Sequence, residues 1–92
     1  MGKKWKDDRI PCEVKCILNV DQTIFQGVIE NLSLSGALVK LNNKMSFKIH
    51  PDDMCDLVFG GNPELYPMKY ICKVIRVDSE MIGVQFLELN IM

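Results

Sequence analysis

The stretch MKYICKVIRVDSEMIGVQFL, residues 68–87, predicts a β-hairpin and decides the fold class. Two apolar runs, 68–77 and 81–87, are rich in valine and isoleucine, which favour strands. Only the Asp-Ser-Glu segment at 78–80 separates them. A connection this short joins antiparallel neighbours, whereas parallel strands need a long crossover. The sequence therefore predicts two paired antiparallel strands here.

Four further strands are predicted upstream of this hairpin, and no segment between them has a helical pattern. Residues 12–20 alternate between apolar and polar side chains, as a half-buried strand does. Gly27 marks a β-bulge or a close approach of two backbones. The remaining predicted strands are 24–32, 36–41 and 54–59. Six short strands with local turns predict an antiparallel barrel or sandwich, and a closed barrel would leave fewer exposed edges.

Composition limits the protein to one domain and to a few classes of partner. The chain has 92 residues, of which 48% are hydrophobic and 25% charged, as in a folded globular domain. A net charge of −1 argues against DNA or RNA as a partner. We find neither a secretory signal nor an apolar run that could cross a bilayer, so we predict a cytoplasmic protein without membrane insertion. We expect residues 1–8 to form a flexible basic arm and residues 9–89 the single domain.

Metal binding and catalysis are both disfavoured by the pattern of reactive side chains. The four cysteines lie on predicted strands without a C-x-x-C pair, and the single histidine, His50, lies in a polar loop next to Pro51. We therefore interpret the cysteines as free core thiols rather than metal ligands. No nucleophile elbow and no phosphate-binding glycine loop is present. The acidic pairs 7–8 and 52–53 are typical of solvated loops, so no catalytic residue and no enzyme is predicted.

The segment NLSLSG, Asn31 to Gly36, interrupts the apolar strands with polar side chains. One interpretation is a turn, because asparagine and serine bond nearby backbone groups and glycine tolerates a positive φ. The other is a recognition edge that presents an amide and hydroxyls to a ligand. The residues themselves leave both interpretations open.

The motif N-x-S-x-x-G in this segment follows Arg9 by about twenty residues. This arrangement resembles the PilZ domain family, whose signature is R-x-x-x-R followed at that distance by D/N-x-S-x-x-G. The segments RIPCEV, F-x-G-x-I-x-N-L-S-x-x-G-A and GVQFLEL are similar to the same family. The resemblance extends over residues 4–89, which is nearly the whole chain.

The resemblance implies a six-stranded antiparallel β-barrel that binds the bacterial second messenger cyclic di-GMP, with little or no C-terminal helix. Arg9 matches the second arginine of R-x-x-x-R, while Asn31, Ser33 and Gly36 match the later motif. In the family the arginines wrap over the ligand and the later motif lies beneath it. Guanidinium groups suit both phosphates and guanine edges, and asparagine and serine would supply short polar contacts. Cyclic di-GMP is the expected ligand, and no other cofactor is implied.

The first arginine of the signature does not transfer, because Trp5 stands at that position and Lys4 before it. Tryptophan carries no charge, and lysine lacks the planar fork of arginine. Trp5 could compensate by stacking on a guanine while Lys4 or Lys6 reaches a phosphate.

Two functions stay open at this stage. One is a stand-alone receptor whose arm folds over cyclic di-GMP and presents a changed surface to a downstream protein, in the control of motility or biofilm formation. The other is a degenerate domain that binds no cyclic di-GMP and serves as an adaptor in pilus or flagellar motility systems. A homodimer is compatible with both.

Overall fold

The fold was obtained as a computed structural model, which describes residues 9–42, 48–60 and 68–91. The described residues contain six β-strands and no α-helix, as the sequence predicts. Four of the strands are longer than predicted, and the last one ends at residue 91 rather than 87. The strands are β1 (Ile10–Val20), β2 (Thr23–Leu32), β3 (Gly36–Leu41), β4 (Met54–Phe59), β5 (Met68–Asp78) and β6 (Met81–Ile91).

The strands form a closed barrel in the order β1-β2-β3-β6-β5-β4, with every neighbouring pair antiparallel. The barrel, rather than the sandwich, is therefore correct. The predicted hairpin of β5 and β6 is present, and its last strand pair is Asp78 opposite Met81. A two-residue turn joins β1 to β2, where Asp21 and Gln22 have φ values of 51° and 68°. Positive φ at both central residues matches the right-handed twist of the flanking strands.

The barrel interior is filled by aliphatic side chains from all six strands. Ile49, in the connection between β3 and β4, is also buried and packs with them. The fully buried strand residues include Leu18, Ile29, Val39, Leu57, Val74 and Ile82. This core accounts for the alternating pattern of the sequence, because inward and outward side chains alternate along each strand.

Three of the four cysteines are buried in this core, and all four are free thiols. Burial raises the pKa of the Cys16 thiol to about 12. Val14 shares the parity of Cys16 but is 37% exposed, which departs from the predicted pattern. The reason is that β4 pairs with β1 only from Cys16 to Val20. The first half of β1 therefore extends past the end of β4 and is paired only with β2.

Gly27 lies at a close approach of two backbones, one of the two roles predicted for it. A Cβ there would lie 2.6 Å from the carbonyl oxygen of Lys40 on β3. Across residues 9–42, 48–60 and 68–91, no helix is long and apolar enough to cross a membrane.

Candidate functional site

The turn between β2 and β3 is braced by the side chain of Ser33, which is buried. Its backbone N–H donates to the carbonyl oxygen of Gly36 at 2.9 Å. Its Oγ accepts hydrogen bonds from the N–H groups of Ser35 and Gly36, each at 3.3 Å. Such local bonds are how serine stabilises turns. The hydroxyl of Ser33 is therefore engaged by the turn itself.

Gly36 is held against β6 and has no room for a side chain. A Cβ at position 36 would overlap the backbone carbonyl oxygen of Val84. The neighbouring Ser35 accepts a hydrogen bond from the N–H of Phe86 at 2.8 Å, which ties the turn to the same strand. The turn interpretation offered a positive φ as the reason for a glycine here, but Gly36 does not have one, and the close approach of the β6 backbone is the reason instead.

Arg9 and Asn31 lie side by side although 22 positions separate them. Arg9 comes just before β1, and the register of β1 with β2 places Pro11 opposite Asn31. Nη1 of Arg9 donates to Oδ1 of Asn31 at 2.9 Å. The arginine is exposed and the asparagine half-buried. The structure thus brings together two residues that the sequence singled out.

A groove with a volume of about 200 Å³ begins at this pair. The charged side chains among its described lining residues are both arginines, so the groove is electropositive. Ser33 and Gly36 are not part of that lining. The lining residues are Arg9, Asn31, Ala37, Leu38, Ile75, Arg76 and Gly83. The arrangement suits an anion with a flat apolar part, because aliphatic side chains line the groove together with the two guanidinium groups.

Two β-bulges turn polar side chains into this groove. On β5 the register passes from Val74 opposite Val84 to Arg76 opposite Gly83, so Ile75 is an extra residue. Cys72 and Val74 point inward, and unbroken alternation would send Arg76 inward as well. The bulge reverses this, and Arg76 is exposed. Bulges commonly re-aim side chains next to binding sites.

A β-bulge also redirects a side chain on β2. Its register with β3 passes from Ile29 opposite Val39 to Asn31 opposite Leu38, which makes Glu30 the extra residue. Asn31 would otherwise share the inward parity of Ile29. After the bulge Asn31 lines the groove, and Leu32 packs against the core instead.

Arg76 is the site residue that the sequence analysis missed. Its position offered a signal, since an arginine at an inward-parity position of an apolar strand requires either a buried partner or a bulge. Gly83 lies opposite Arg76 and also lines the groove. A Cβ on Gly83 would lie 3.5 Å from Cβ of Arg76, which is an ordinary contact.

Three predicted site residues, Lys4, Trp5 and Lys6, lie outside the described residues, and so does the predicted arm at 1–8. The part of the chain that the structure describes contains no group of three or more His, Cys, Asp or Glu side chains that could hold a metal ion. A second groove of about 280 Å³ lies on β1 and β2 around Lys15, Gln26 and Asn42. Its lining includes Gly27 of the F-x-G-x-I-x-N segment but none of the predicted ligand-binding residues.

The family model of the PilZ domain matches residues 4–91, which include Arg9 and the whole N-x-S-x-x-G motif. No curated protein matches the chain.

Proposed function

This chain belongs to the PilZ domain family, and we propose that it is a cyclic di-GMP receptor that signals to a protein partner. Domains of this family are ligand-binding regulatory domains rather than enzymes, and they are typically cytoplasmic. The observation that carries the proposal is the groove in which Arg9, Asn31 and Arg76 converge.

The charges of the groove complement those of the ligand. Cyclic di-GMP carries two phosphates, and the groove presents two guanidinium groups. A guanidinium binds phosphate, or the O6 and N7 of guanine, through two parallel hydrogen bonds. Oδ1 of Asn31 accepts the hydrogen bond from Arg9, and the amide nitrogen of Asn31 carries two N–H donors that suit a guanine edge.

The size of the groove indicates that it holds only part of the ligand. A volume of about 200 Å³ is small, because sites that enclose a small molecule usually measure about 300–1,000 Å³. In this proposal residues 4–6 cover the remainder. Trp5 stacks on a guanine, a contact worth about 1–3 kcal/mol in nucleic-acid sites, and Lys4 and Lys6 reach the phosphates.

In this proposal Ser33 and Gly36 act through the turn. They hold the backbone at the start of β3, from which Ala37 and Leu38 line the groove. The signal is the new surface formed when residues 4–6 close over the ligand, and a partner protein that acts in motility or biofilm control reads it.

Isothermal titration calorimetry with cyclic di-GMP tests this proposal. We expect the wild type to bind with micromolar or tighter affinity and Arg9→Ala to bind about tenfold or more weakly, because one charge-assisted contact is lost. Lys40→Ala is the matched control, since it removes one exposed positive charge from β3 at a position outside the groove. Its affinity should stay within about twofold of the wild type. No heat of binding up to about a millimolar ligand would reject the proposal.

A ligand-independent adaptor in pilus or flagellar systems is the second candidate. Trp5 favours it, because this residue stands where the family signature has its first arginine. The two candidates differ in the same titration: a wild-type chain that stays folded and shows no binding would favour the adaptor. Its partners would then be sought by crosslinking and pull-down.

A further inference from the structure

Cys55 and Cys72 face each other in the barrel interior. They are directly opposite in the antiparallel ladder of β4 and β5. Both are almost fully buried, with 4% and 0% of their surface exposed, and both are free thiols. Two thiols at facing positions of one ladder form a pair rather than two separate core residues.

The positions of the two thiols are close to those that a disulfide requires. Side chains directly opposite on antiparallel strands have Cβ atoms about 4.5–5.5 Å apart. A disulfide draws them to about 3.5–4.5 Å, so closing the bond moves β4 and β5 together by roughly 1 Å. Sγ of Cys72 donates to the backbone carbonyl oxygen of Tyr70 at 3.5 Å. The neighbouring thiol of Cys55, together with burial, raises the pKa of Cys72.

The other two cysteines lack this relation. Cys16 lies opposite Gly27 on one side and Phe59 on the other. Cys12 lies in the bulged part of β1, where its Sγ donates to the carbonyl oxygen of Ile29 at 3.6 Å. Cysteine is a common core residue, and burial alone would explain Cys16. Cys55 and Cys72 differ from these two because they lie directly opposite each other on neighbouring strands.

We propose that Cys55 and Cys72 are an oxidative modification site, at which hydrogen peroxide converts the two thiols into a reversible disulfide. One thiolate attacks the peroxide, the O–O bond breaks, and a sulfenic acid and a water molecule result after protonation. The second thiol then attacks the sulfenic sulfur, forms the S–S bond and releases a second water molecule. The sulfurs lose two electrons and two protons in total, and the peroxide accepts both.

The environment of the two thiols also determines how fast the disulfide forms and how readily it is reduced. The thiolate is the reactive form, and the raised pKa of Cys72 keeps it scarce in the closed barrel. Oxidation therefore proceeds through local opening of β4 and β5 and is slower than at an exposed thiol. A bond that pulls two strands together is strained, and strained disulfides are readily reduced. Dithiothreitol should restore both thiols.

Peptide mapping of the oxidised wild type tests the proposal without a variant. Trypsin places the cysteines in four different peptides, residues 10–15, 16–40, 49–69 and 70–73. The folded protein is treated with hydrogen peroxide, free thiols are blocked with N-ethylmaleimide, and the digest is analysed by mass spectrometry. We expect one linked species, 49–69 with 70–73, about 2 Da lighter than the sum of its peptides because two hydrogens leave. A sample oxidised in denaturant should give several linkages.

The variant Cys12→Ala serves as the control, because it retains the facing pair and should give the same linked species. The proposal is overturned if Cys55 and Cys72 remain free thiols while Cys12 is oxidised. It is equally overturned if linkages in the folded sample are intermolecular or as varied as those in the denatured one.

Discussion

The turn at residues 33–36 and the groove beside it are neighbouring regions that relate to the fold in different ways. In the turn, Ser33 bonds backbone N–H groups, and Gly36 lies against the backbone of β6. In the groove, Arg9 and Arg76 are exposed side chains that the core does not require. Ser33 and Gly36 therefore have a role in the fold itself, whereas the proposed ligand is what would account for the two exposed arginines. A barrel that had lost its ligand would still keep the turn.

The largest effect that we expect is on the fold, from Gly36→Ala. The new Cβ would overlap the carbonyl oxygen of Val84, which belongs to backbone and cannot rotate away. We expect a loss of about 3 kcal/mol or more in the free energy of unfolding, at the upper end for overpacking. Chemical denaturation monitored by circular dichroism measures it.

The matched control is Gly83→Ala, because Gly83 is also buried in the barrel wall but has ordinary space for a Cβ. We expect a loss below about 1 kcal/mol for this variant. Equal losses in the two variants would show that the backbone contact with β6 does not explain Gly36, and the structural account of the turn would then be wrong.

The second-largest effect that we expect is on ligand binding in the groove, with the stability of the fold unchanged. Arg76→Ala should weaken cyclic di-GMP binding about 10-fold to 100-fold, because a charge-assisted contact contributes about 1.5–3 kcal/mol. Its free energy of unfolding should change by less than about 0.5 kcal/mol, as for other exposed side chains. Calorimetric titration and denaturation of the same preparation give both values.

Arg76→Lys refines this test. Lysine keeps the charge but lacks the planar fork. An affinity between those of the wild type and Arg76→Ala would indicate a bidentate contact. Wild-type affinity in Arg76→Ala would remove this residue from the site and leave Arg9 as the groove's functional arginine.

The same comparison explains how far the sequence could predict the molecule. Alternation and short turns predicted all six strands and the hairpin of β5 and β6, because these features depend on nearby residues. The pairing of Arg9 with Asn31 depends on the register of β1 and β2, and only the family resemblance suggested it. Bulges are set by how neighbouring strands fit, so strict alternation missed Arg76. The exposure of Val14 has a similar origin, in the limited length of β4.

The third effect separates a ligand contact from a structural one at Ser33. The sequence-based role of Ser33 as a ligand contact stays a prediction, and its hydroxyl already bonds the turn. Ser33→Ala should lower the free energy of unfolding by about 1–2 kcal/mol, because the buried N–H of Gly36 and the partly buried N–H of Ser35 lose an acceptor. Leu34→Ala, at the 94% exposed tip of the same turn, should change it very little. Denaturation curves of the two variants make this comparison.

The affinity of the same Ser33→Ala variant for cyclic di-GMP shows whether Ser33 acts only through the turn or also contacts the ligand. If the hydroxyl acts only through the turn, the folded variant should bind cyclic di-GMP more tightly than Arg9→Ala does. Wild-type stability combined with an affinity as weak as that of Arg9→Ala would show that Ser33 contacts the ligand directly. The turn and the groove would then be one recognition surface.

The smallest effect, and the one that needs no variant, is the dependence on salt. Binding of a doubly charged ligand by two exposed guanidinium groups is screened by ions, so the Kd should rise about threefold or more between roughly 0.05 and 0.3 M NaCl. The turn is held by hydrogen bonds between neutral groups and by a steric fit, which salt screens little. Thermal unfolding of the ligand-free protein should therefore change much less over the same range. A Kd that does not change with salt would mean that stacking and neutral hydrogen bonds dominate recognition, and the difference between turn and groove would then not be one of charge.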